Sequence, residues 1–333
     1  MEPSKRKLRL AMIGCGKIAG LHAQKLAADG RAEIAVCSDP RREGAEALRD
    51  SLAPGAAIET DELRAFEQYQ LDGVVICSPT TRHHDQASSA LERGLHVLCE
   101  KPLASDRAQI LDLIERQKRS GRVLSVAHQR RYKAPYATAK RELTERADLY
   151  GPLRQIHLFV CERWLPTITG TWRDDPAVGA GYFGDAGIHQ VDIILFLTGL
   201  RVERVFAVSD RRSSRVEIVT SVLAELTGGV GLTAHFVGDA NHWREDIHLH
   251  GATGDLLLRG RSDLQINVFR AQNNHVEQIT DLEPESSPDA NFIDAILGLR
   301  PTLSPPQIAL PIYDWTQAVL ASAREGRWVQ VGA

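Results

Sequence analysis

The chain has 333 residues, 43% of them hydrophobic and 25% charged, an ordinary globular composition whose length favours two domains over one core. Its formal net charge of −3 offers nothing to a nucleic acid, and no basic run outlasts Lys5-Arg6-Lys7. No stretch approaches the ~20 apolar residues of a membrane span, and five cysteines without a C-x-x-C pair suggest neither a disulfide frame nor a zinc site but the reducing cytoplasm.

Leu8 to Ile13 reads as a strand, broken by Arg9 and flowing into glycines as a signal peptide would not. Gly14-Cys15-Gly16-Lys17-Ile18-Ala19 follows directly, and a helical run extends from Ile18 to Ala28. This is G-x-G-x-x-A between strand and helix, a context that points to a dinucleotide. Gly14 permits the tight turn, Gly16 lets the backbone approach a pyrophosphate, and the helix N-terminus supplies amides. A second strand, Glu33 to Ser38, ends at Asp39, which is placed to accept hydrogen bonds from the adenosine ribose and to repel a 2′-phosphate. That favours NAD, although Arg41 or Arg42 could embrace such a phosphate and admit NADP.

Alternation continues with helix 41–52, a short helix opened by Asp61-Glu62-Leu63, and strand Val74 to Cys77, which Ser78-Pro79 stops. Helix 83–93 starts at His83 and His84 and ends at Gly94. Then Val97-Leu98-Cys99 runs abruptly into Glu100-Lys101-Pro102, delivering Lys101 beyond the carboxyl end of a strand, where parallel α/β sheets bind ligands. Ser105 or Asp106 caps a helix to about Arg119, and Val123 to Ala127 is another strand. Repeated β-α units predict a doubly wound parallel sheet over residues 1–128.

From residue 129 the alternation stops, and 129–333 reads as a second, α+β domain. After a helix at about 135–148, strand-like runs dominate: 153–163, 201–209, 215–226, 230–237, 245–250, 255–259, 264–269 and 275–279. The even positions of 216–226 are mostly apolar and Glu217, Ser221 and Glu225 alternate with them, the pattern of a large, mostly antiparallel sheet with one face in a core. Val219 and Leu223 on the other face invite pairing with a second copy. Between the first two strands lies Trp172-Arg173, then Val178-Gly179-Ala180-Gly181-Tyr182 and a helix from about Asp185 to Leu197 closing at Gly199. On it Asp185 and His189 are i, i+4 neighbours, with Asp192 a turn further on. The glycines before it would let the backbone pass close to a cofactor or substrate. His248 and His250 share a strand face, but without a third ligand at suitable spacing no metal is expected.

These pieces together resemble the glucose–fructose oxidoreductase and inositol dehydrogenase (Gfo/Idh/MocA) family of NAD(P)-dependent sugar and cyclitol oxidoreductases. The resemblance rests on Gly14-x-Gly16-x-x-Ala19, Asp39, Pro79-x-x-x-His83-x-x-x-Ala87, Glu100-Lys101-Pro102, Gln129-Arg130-Arg131-Tyr132 and Asp185-x-x-x-His189-x-x-Asp192, with a matching tail from Asn291 to Val331. It departs from the family where Ala180 replaces the middle of three glycines.

The resemblance implies a catalytic set of Lys101, Asp185 and His189. It implies a cofactor lined by Gly14, Gly16, Lys17, Ile18, Asp39, Pro79, His83, Glu100 and Lys101, with Arg41 and Ser78 beside them. The implied reaction is reversible oxidation of a ring hydroxyl: hydride passes to nicotinamide C4, His189 takes the proton, Asp185 orients the imidazole, and Lys101 steadies the substrate oxygen. Arg131, Arg163, Trp164, Trp172, Arg173 and Tyr182 are candidate substrate-wall residues, and a homodimer or homotetramer through the second domain's sheet is expected. Two other outcomes stay open: a glycosidase using transient oxidation with tightly held NAD, and a sugar- or dinucleotide-sensing regulator.

Overall fold

In a computed structural model, described over residues 6–177, 179–261 and 265–332, the opening apolar run forms β1 (Leu8–Ile13), which is buried on both faces. It leads into α1 (Lys17–Asp29), β2 (Ala32–Ser38), α2 (Arg42–Leu52), β3 (Ala57–Glu59), α3 (Glu62–Gln68), β4 (Gly73–Ile76), α4 (Thr80–Glu92), β5 (His96–Cys99), α5 (Arg107–Ser120) and β6 (Leu124–Val126). Helix signals act where the chain places them. Gly30, at φ +75°, closes α1 by donating its N–H to Leu26, and the Asp106 carboxylate caps α5 by accepting from Gln109 N–H at 2.9 Å. The six strands pair in parallel in the order β3-β2-β1-β4-β5-β6. Strand order reverses between β1 and β4, so the ligand crevice lies beyond their carboxyl ends. The three-residue edge strand β3 carries too little pattern to be read from sequence.

Past residue 129 come α6 (Ala134–Glu145), α7 (Ala147–Tyr150), β7 (Leu153–Arg163) and α8 (Leu165–Ile168). A 3₁₀ turn (Trp172–Asp174) and a π-helical turn (Phe183–Gly187) precede α9 (Ile188–Thr198). Then follow β8 (Val202–Asp210), β9 (Val219–Leu226), β10 (Val230–Val237), β11 (Asp239–Gly251), β12 (Asp255–Gly260), β13 (Ile266–Gln272) and β14 (His275–Ile279). In 216–226 the even positions are all buried, as the alternation predicts. Strand pairing in this run begins only at Val219, although Ile218 N–H still donates to Asp210 O at 3.0 Å. Val178 and residue 264, expected in the glycine run and at the start of a strand, lie outside the described residues.

The tail consists of α10 (Pro288–Ile296), α11 (Ala309–Glu325) and β15 (Val329–Gln330), the last pairing with β8. That completes a nine-stranded sheet, β14-β13-β12-β11-β7-β10-β9-β8-β15, antiparallel except for β7 beside β10. The chain divides into two compact units, residues up to 129 with 286–310, and 130–285 with 311 onward. A single cut at 128/129 therefore misplaces 286–310. Phe292 and Ile293 on α10 are fully buried in the first unit's core with Leu8, Leu10 and Leu98, and Arg31 Nη1 reaches Asp294 Oδ1 at 2.7 Å. An amphipathic helix shows its apolar stripe in the sequence but not which core receives it. Among the described residues, no helix is long and apolar enough to cross a membrane.

Candidate active site

In the first unit the Gly14 turn is dictated by sterics. Its φ is +81°, its N–H donates to Ser38 O at 2.8 Å, and a Cβ there would stand 2.8 Å from Ser78 N. Gly16 caps α1 with no side-chain bond to the helix amides and no acid in the first turn, and a Cβ on it would meet nothing within 4 Å. Lys17 and Ile18 are exposed beside it. Asp39, at the end of β2, accepts Cys15 N–H on Oδ2 and Arg41 N–H on Oδ1, each at 2.9 Å. It thereby ties the glycine turn to β2 and keeps lone pairs for further donors, since a carboxylate offers about four acceptor sites. Arg42 is held by Glu46 on its own helix at 2.9 Å, whereas Arg41 stands outward with its Nε 3.8 Å from Asp39. An open helix N-terminus, an unobstructed glycine and an acid at the end of β2 fit a dinucleotide's pyrophosphate and adenosine ribose.

Two loops complete this edge. His83 is buried, with Nε2 2.9 Å from Ser78 O and Nδ1 2.8 Å from Pro102 O, so it braces the turn after β4 against the turn after β5. Burial holds its imidazole below the ordinary range. It serves this edge from beneath and not as a surface contact. Ser78 Oγ donates to Gln86 Oε1 at 2.6 Å, while His84 lies against Asp85 and Asp112.

Lys101, half-buried, donates its backbone N–H to Glu100 Oε2 at 3.1 Å, and the Lys101–Pro102 peptide is cis. Glu100 Oε1 lies 3.1 Å from His22 Nε2, whose Nδ1 lies 2.7 Å from Asp289 Oδ1 on α10. Burial opposes charge on His22, but the two carboxylates prevail and push its pKa up to about 10. Burial likewise opposes charge on Glu100, and the cations of His22 and Lys101 outweigh it, holding that carboxyl below its usual range. This buried Asp289–His22–Glu100 chain escapes sequence reading. His22 looks like any polar residue on α1, and Asp289 is 267 positions away. The nearby thiols of Cys77 and Cys99 are pushed well up by burial and serve as small apolar groups.

In the second unit, Asp185 lies in the π-helical turn and His189 two residues past its end, both half-buried. The expected regular α-helix from Asp185 is therefore wider at its entrance, which alters the i, i+4 stacking. Glu217 causes part of this by accepting Phe183 N–H on both carboxylate oxygens at 3.1 Å. Gly187 permits the rest, because a Cβ there would stand 2.9 Å from Phe236 Cδ1. The upstream glycines answer to the chain itself. A Cβ on Gly179 would strike Arg173 O, and one on Gly181, at φ +71°, would strike Glu217 Oε2. The approach they allow is to the protein's own backbone and carboxylate, not the ligand approach expected of them. Asp185 Oδ2 accepts Arg173 Nε–H at 3.0 Å, and the Arg173 guanidinium lies 4.6 Å over the ring of Trp172, which is 60% exposed.

The other candidate wall residues divide. Arg163 is exposed at the end of β7, and the half-buried Trp164 packs its ring 5.4 Å from that of Tyr182. Tyr182 is itself 1% exposed and so belongs to the core. Arg131 is also buried, gripping Asp192 through Nε at 2.9 and 3.1 Å and Nη2 at 2.6 Å. Both leave the substrate wall as a correction, since a buried ion pair that loses one partner is strongly destabilised. Sequence reasoning missed a polar core beside this helix. Glu245, 1% exposed, accepts hydrogen bonds from Arg130, Tyr136 and, at 2.7 Å, Gln190 Nε2. Glu162 is hydrogen-bonded to Tyr182 and pushed above the carboxylate range by burial, with the charges of Asp185 and Glu245 adding to it.

Comparison with known proteins agrees with this reading of the fold. Residues 8–128 match an oxidoreductase family described by its NAD-binding Rossmann fold, and residues 136–257 match the GFO/IDH/MocA C-terminal domain. The uncharacterized oxidoreductase YdgJ of Escherichia coli (strain K12) is 28% identical over 281 residues, covering 84% of this chain and 73% of that protein. Inositol 2-dehydrogenase of Cereibacter sphaeroides (strain ATCC 17023) is 31% identical over 57% of this chain, which spans 54% of that enzyme. The WlbA dehydrogenase from Bordetella pertussis, crystallised with NADH and UDP-GlcNAcA, superposes with a TM-score of 0.85 at 22% identity, over 98% of this chain and 100% of that one. At such identity the superposition speaks for the fold. The chain belongs to the GFO/IDH/MocA family of oxidoreductases, and its first unit is that family's NAD-binding Rossmann domain.

Proposed function

We propose that the protein is an NAD-dependent dehydrogenase that reversibly oxidises a ring CH–OH of a sugar, sugar derivative or cyclitol. The observation that carries this reading is the joint presence of two features in one chain. One is a dinucleotide edge whose β5 ends in Glu100-Lys101, and the other is a π-to-α helix entrance presenting Asp185 and His189. The likeness to inositol 2-dehydrogenase supports a polyhydroxylated ring as substrate.

Bound NAD supplies the hydride acceptor. Gly14, Gly16, Lys17 and Ile18 hold its pyrophosphate, Asp39 its adenosine ribose with Arg41 alongside, and Ser78, Pro79 and Glu100 line the edge that His83 braces. His189 takes the hydroxyl proton, a task that contributes typically ~10²–10⁴-fold. Asp185, steadied by Arg173, orients the imidazole and favours its charged form. The Lys101 ammonium stabilises negative charge developing on the substrate oxygen. Trp172, with Arg173 over its ring, offers a flat apolar wall, and Arg163 and Trp164 stand at the end of β7.

Proton removal by His189 with hydride loss to bound NAD would give a ketone, or a lactone where the carbon is an aldose's anomeric centre, together with NADH, so turnover would be visible as NADH absorbance. The test is a screen of inositols, aldoses and sugar acids with NAD, run beside aryl-glycosides. NADH formation on a hydroxylated ring is the expected result. Glycoside cleavage without net NADH would move the protein to the glycosidase reading, and tight sugar binding with no turnover would make it a sensor.

We also propose assembly through the exposed sheet face, where Val208 is 60% and Leu223 47% exposed near Phe206, the cross-strand partner of Leu223. The occupant is a second copy of the same face.

A further inference from the structure

The outer face of the nine-stranded sheet, the face proposed above to meet a second copy, carries beyond its Leu223 row a line of imidazoles to which the dehydrogenase chemistry assigns no task. Strand alternation puts His248 and His250 of β11 on one face, opposite the buried Ile247 and Leu249. Register then extends the row in both directions. His250 is paired with Asp255 on β12, His248 with His157 on β7, and His157 with Thr233 on β10. Sequence spacing offered two histidines and no third ligand. The turn between β11 and β12 returns Asp255 to stand opposite His250 and supplies it.

The geometry is convergent. Asp255 Oδ2 lies 3.1 Å from both His248 Nε2 and His250 Nδ1, and the two rings are 3.6 Å apart. One ligand atom from each of the three residues falls within 4.8 Å of the others. Bonds of ~2.0–2.1 Å to a tetrahedral ion require ligand atoms ~3.3 Å apart, close to the two nitrogen–oxygen separations already present. His157 sets its ring edge-on to His250 at 5.3 Å, with Nδ1 2.6 Å from Thr233 Oγ1. A ring nitrogen engaged in this way is how proteins orient a histidine whose other nitrogen faces a metal. His157 and His248 also line a concavity of about 410 Å³ with Thr233, His235, Arg244 and Asp246.

We propose that His248, His250 and Asp255 form a binding site for a divalent transition-metal cation of the zinc class, with His157 as a neighbouring fourth imidazole. Two imidazoles and a carboxylate are a borderline donor set, suited to zinc and the late first-row metals and poorly to calcium or magnesium. Three protein ligands leave a coordination position open. The bound ion would staple β11 to β12.

The test uses the full chain, stripped with a chelator and titrated with zinc chloride against a chromophoric zinc indicator. X-ray absorption at the zinc edge then reads the coordination shell. One zinc per chain is expected, in a nitrogen/oxygen shell with imidazole scattering. His250→Gln and Asp255→Asn should each weaken binding by about tenfold or more, and His248→Gln with His250→Gln should abolish it. Failure of the wild type to take up zinc at ~100 μM, an affinity near −5.5 kcal/mol, would overturn the proposal. So would uptake that survives the double substitution, or a sulfur shell, which would point to the cysteines. If the double variant does not fold by circular dichroism, the wild-type shell decides alone.

Discussion

His22 lies between Asp289 and Glu100 with its ring almost wholly enclosed, and that position makes it a measurable contributor to stability. Its pKa is raised from about 6.5 to about 10 on folding. A raised cation stabilises fully below its unfolded value, and the contribution disappears as pH climbs through the folded one. Urea unfolding midpoints should therefore fall between pH ~7 and ~10. His22→Leu should flatten that slope and cost ~3–5 kcal/mol near neutral pH, because the buried Asp289 and the partly buried Glu100 lose their shared partner. A variant as stable as the wild type at pH 7 would contradict the charged-relay account. Asp39 bears on cofactor choice. kcat/KM should favour NAD in the wild type, and Asp39→Ser should narrow the ratio by about tenfold, or ~1.4 kcal/mol, as the charge that repels a 2′-phosphate is removed. A wild type preferring NADP would shift the selectivity to Arg41. At this scale the sequence speaks where a residue breaks a pattern, as Glu100-Lys101-Pro102 does at the end of an apolar strand. It is silent about His22 and Asp289, which fit the patterns of α1 and α10 and become a pair only when the chain folds.

Among the elements, the π-helical turn at Phe183–Gly187 separates what periodicity can show from what it cannot. Apolar spacing marks a helix ending at Gly199, and one is there. Its wider first turn is held by Glu217, which accepts the Phe183 amide, and by Phe236 against Gly187, contacts made from the segment before β9 and from β10, far along the chain. Such turns recur at functional sites. Gly187→Ala pushes a Cβ to 2.9 Å from Phe236 Cδ1, so it should destabilise by ~1–3 kcal/mol in denaturant and lower kcat through displacement of Asp185 and His189. An unchanged midpoint with unchanged kcat would show that the turn tolerates a regular helical path. The β11–β12 hairpin gives the same lesson, since His248 and His250 were visible as a pair and Asp255 joins them through register alone.

At the scale of the whole molecule, a run of β-α units was enough to anticipate the six-stranded parallel sheet, and a run of alternating strands the large antiparallel one. The return of 286–310 to the first unit was not legible, because a helix's apolar stripe does not name its partner. Light scattering at micromolar concentration should give a multiple of 36.7 kDa, and Leu223→Lys should shift the distribution toward monomer if the sheet face is the interface. A wild-type monomer would contradict that assembly.

The central claim is that Lys101 and His189 act on the hydroxyl being oxidised, and kcat for NADH formation tests it most directly. On the substrate found by the screen, His189→Ala should lower kcat by roughly 10²–10⁴-fold, and Lys101→Met, which keeps length but removes charge and donor, should cost a similar order. NAD affinity should change far less, and the double variant should lose much less than the product of the two single losses, since groups serving one transition state are not additive. Near-normal kcat in Lys101→Met, or in His189→Ala, would contradict the account.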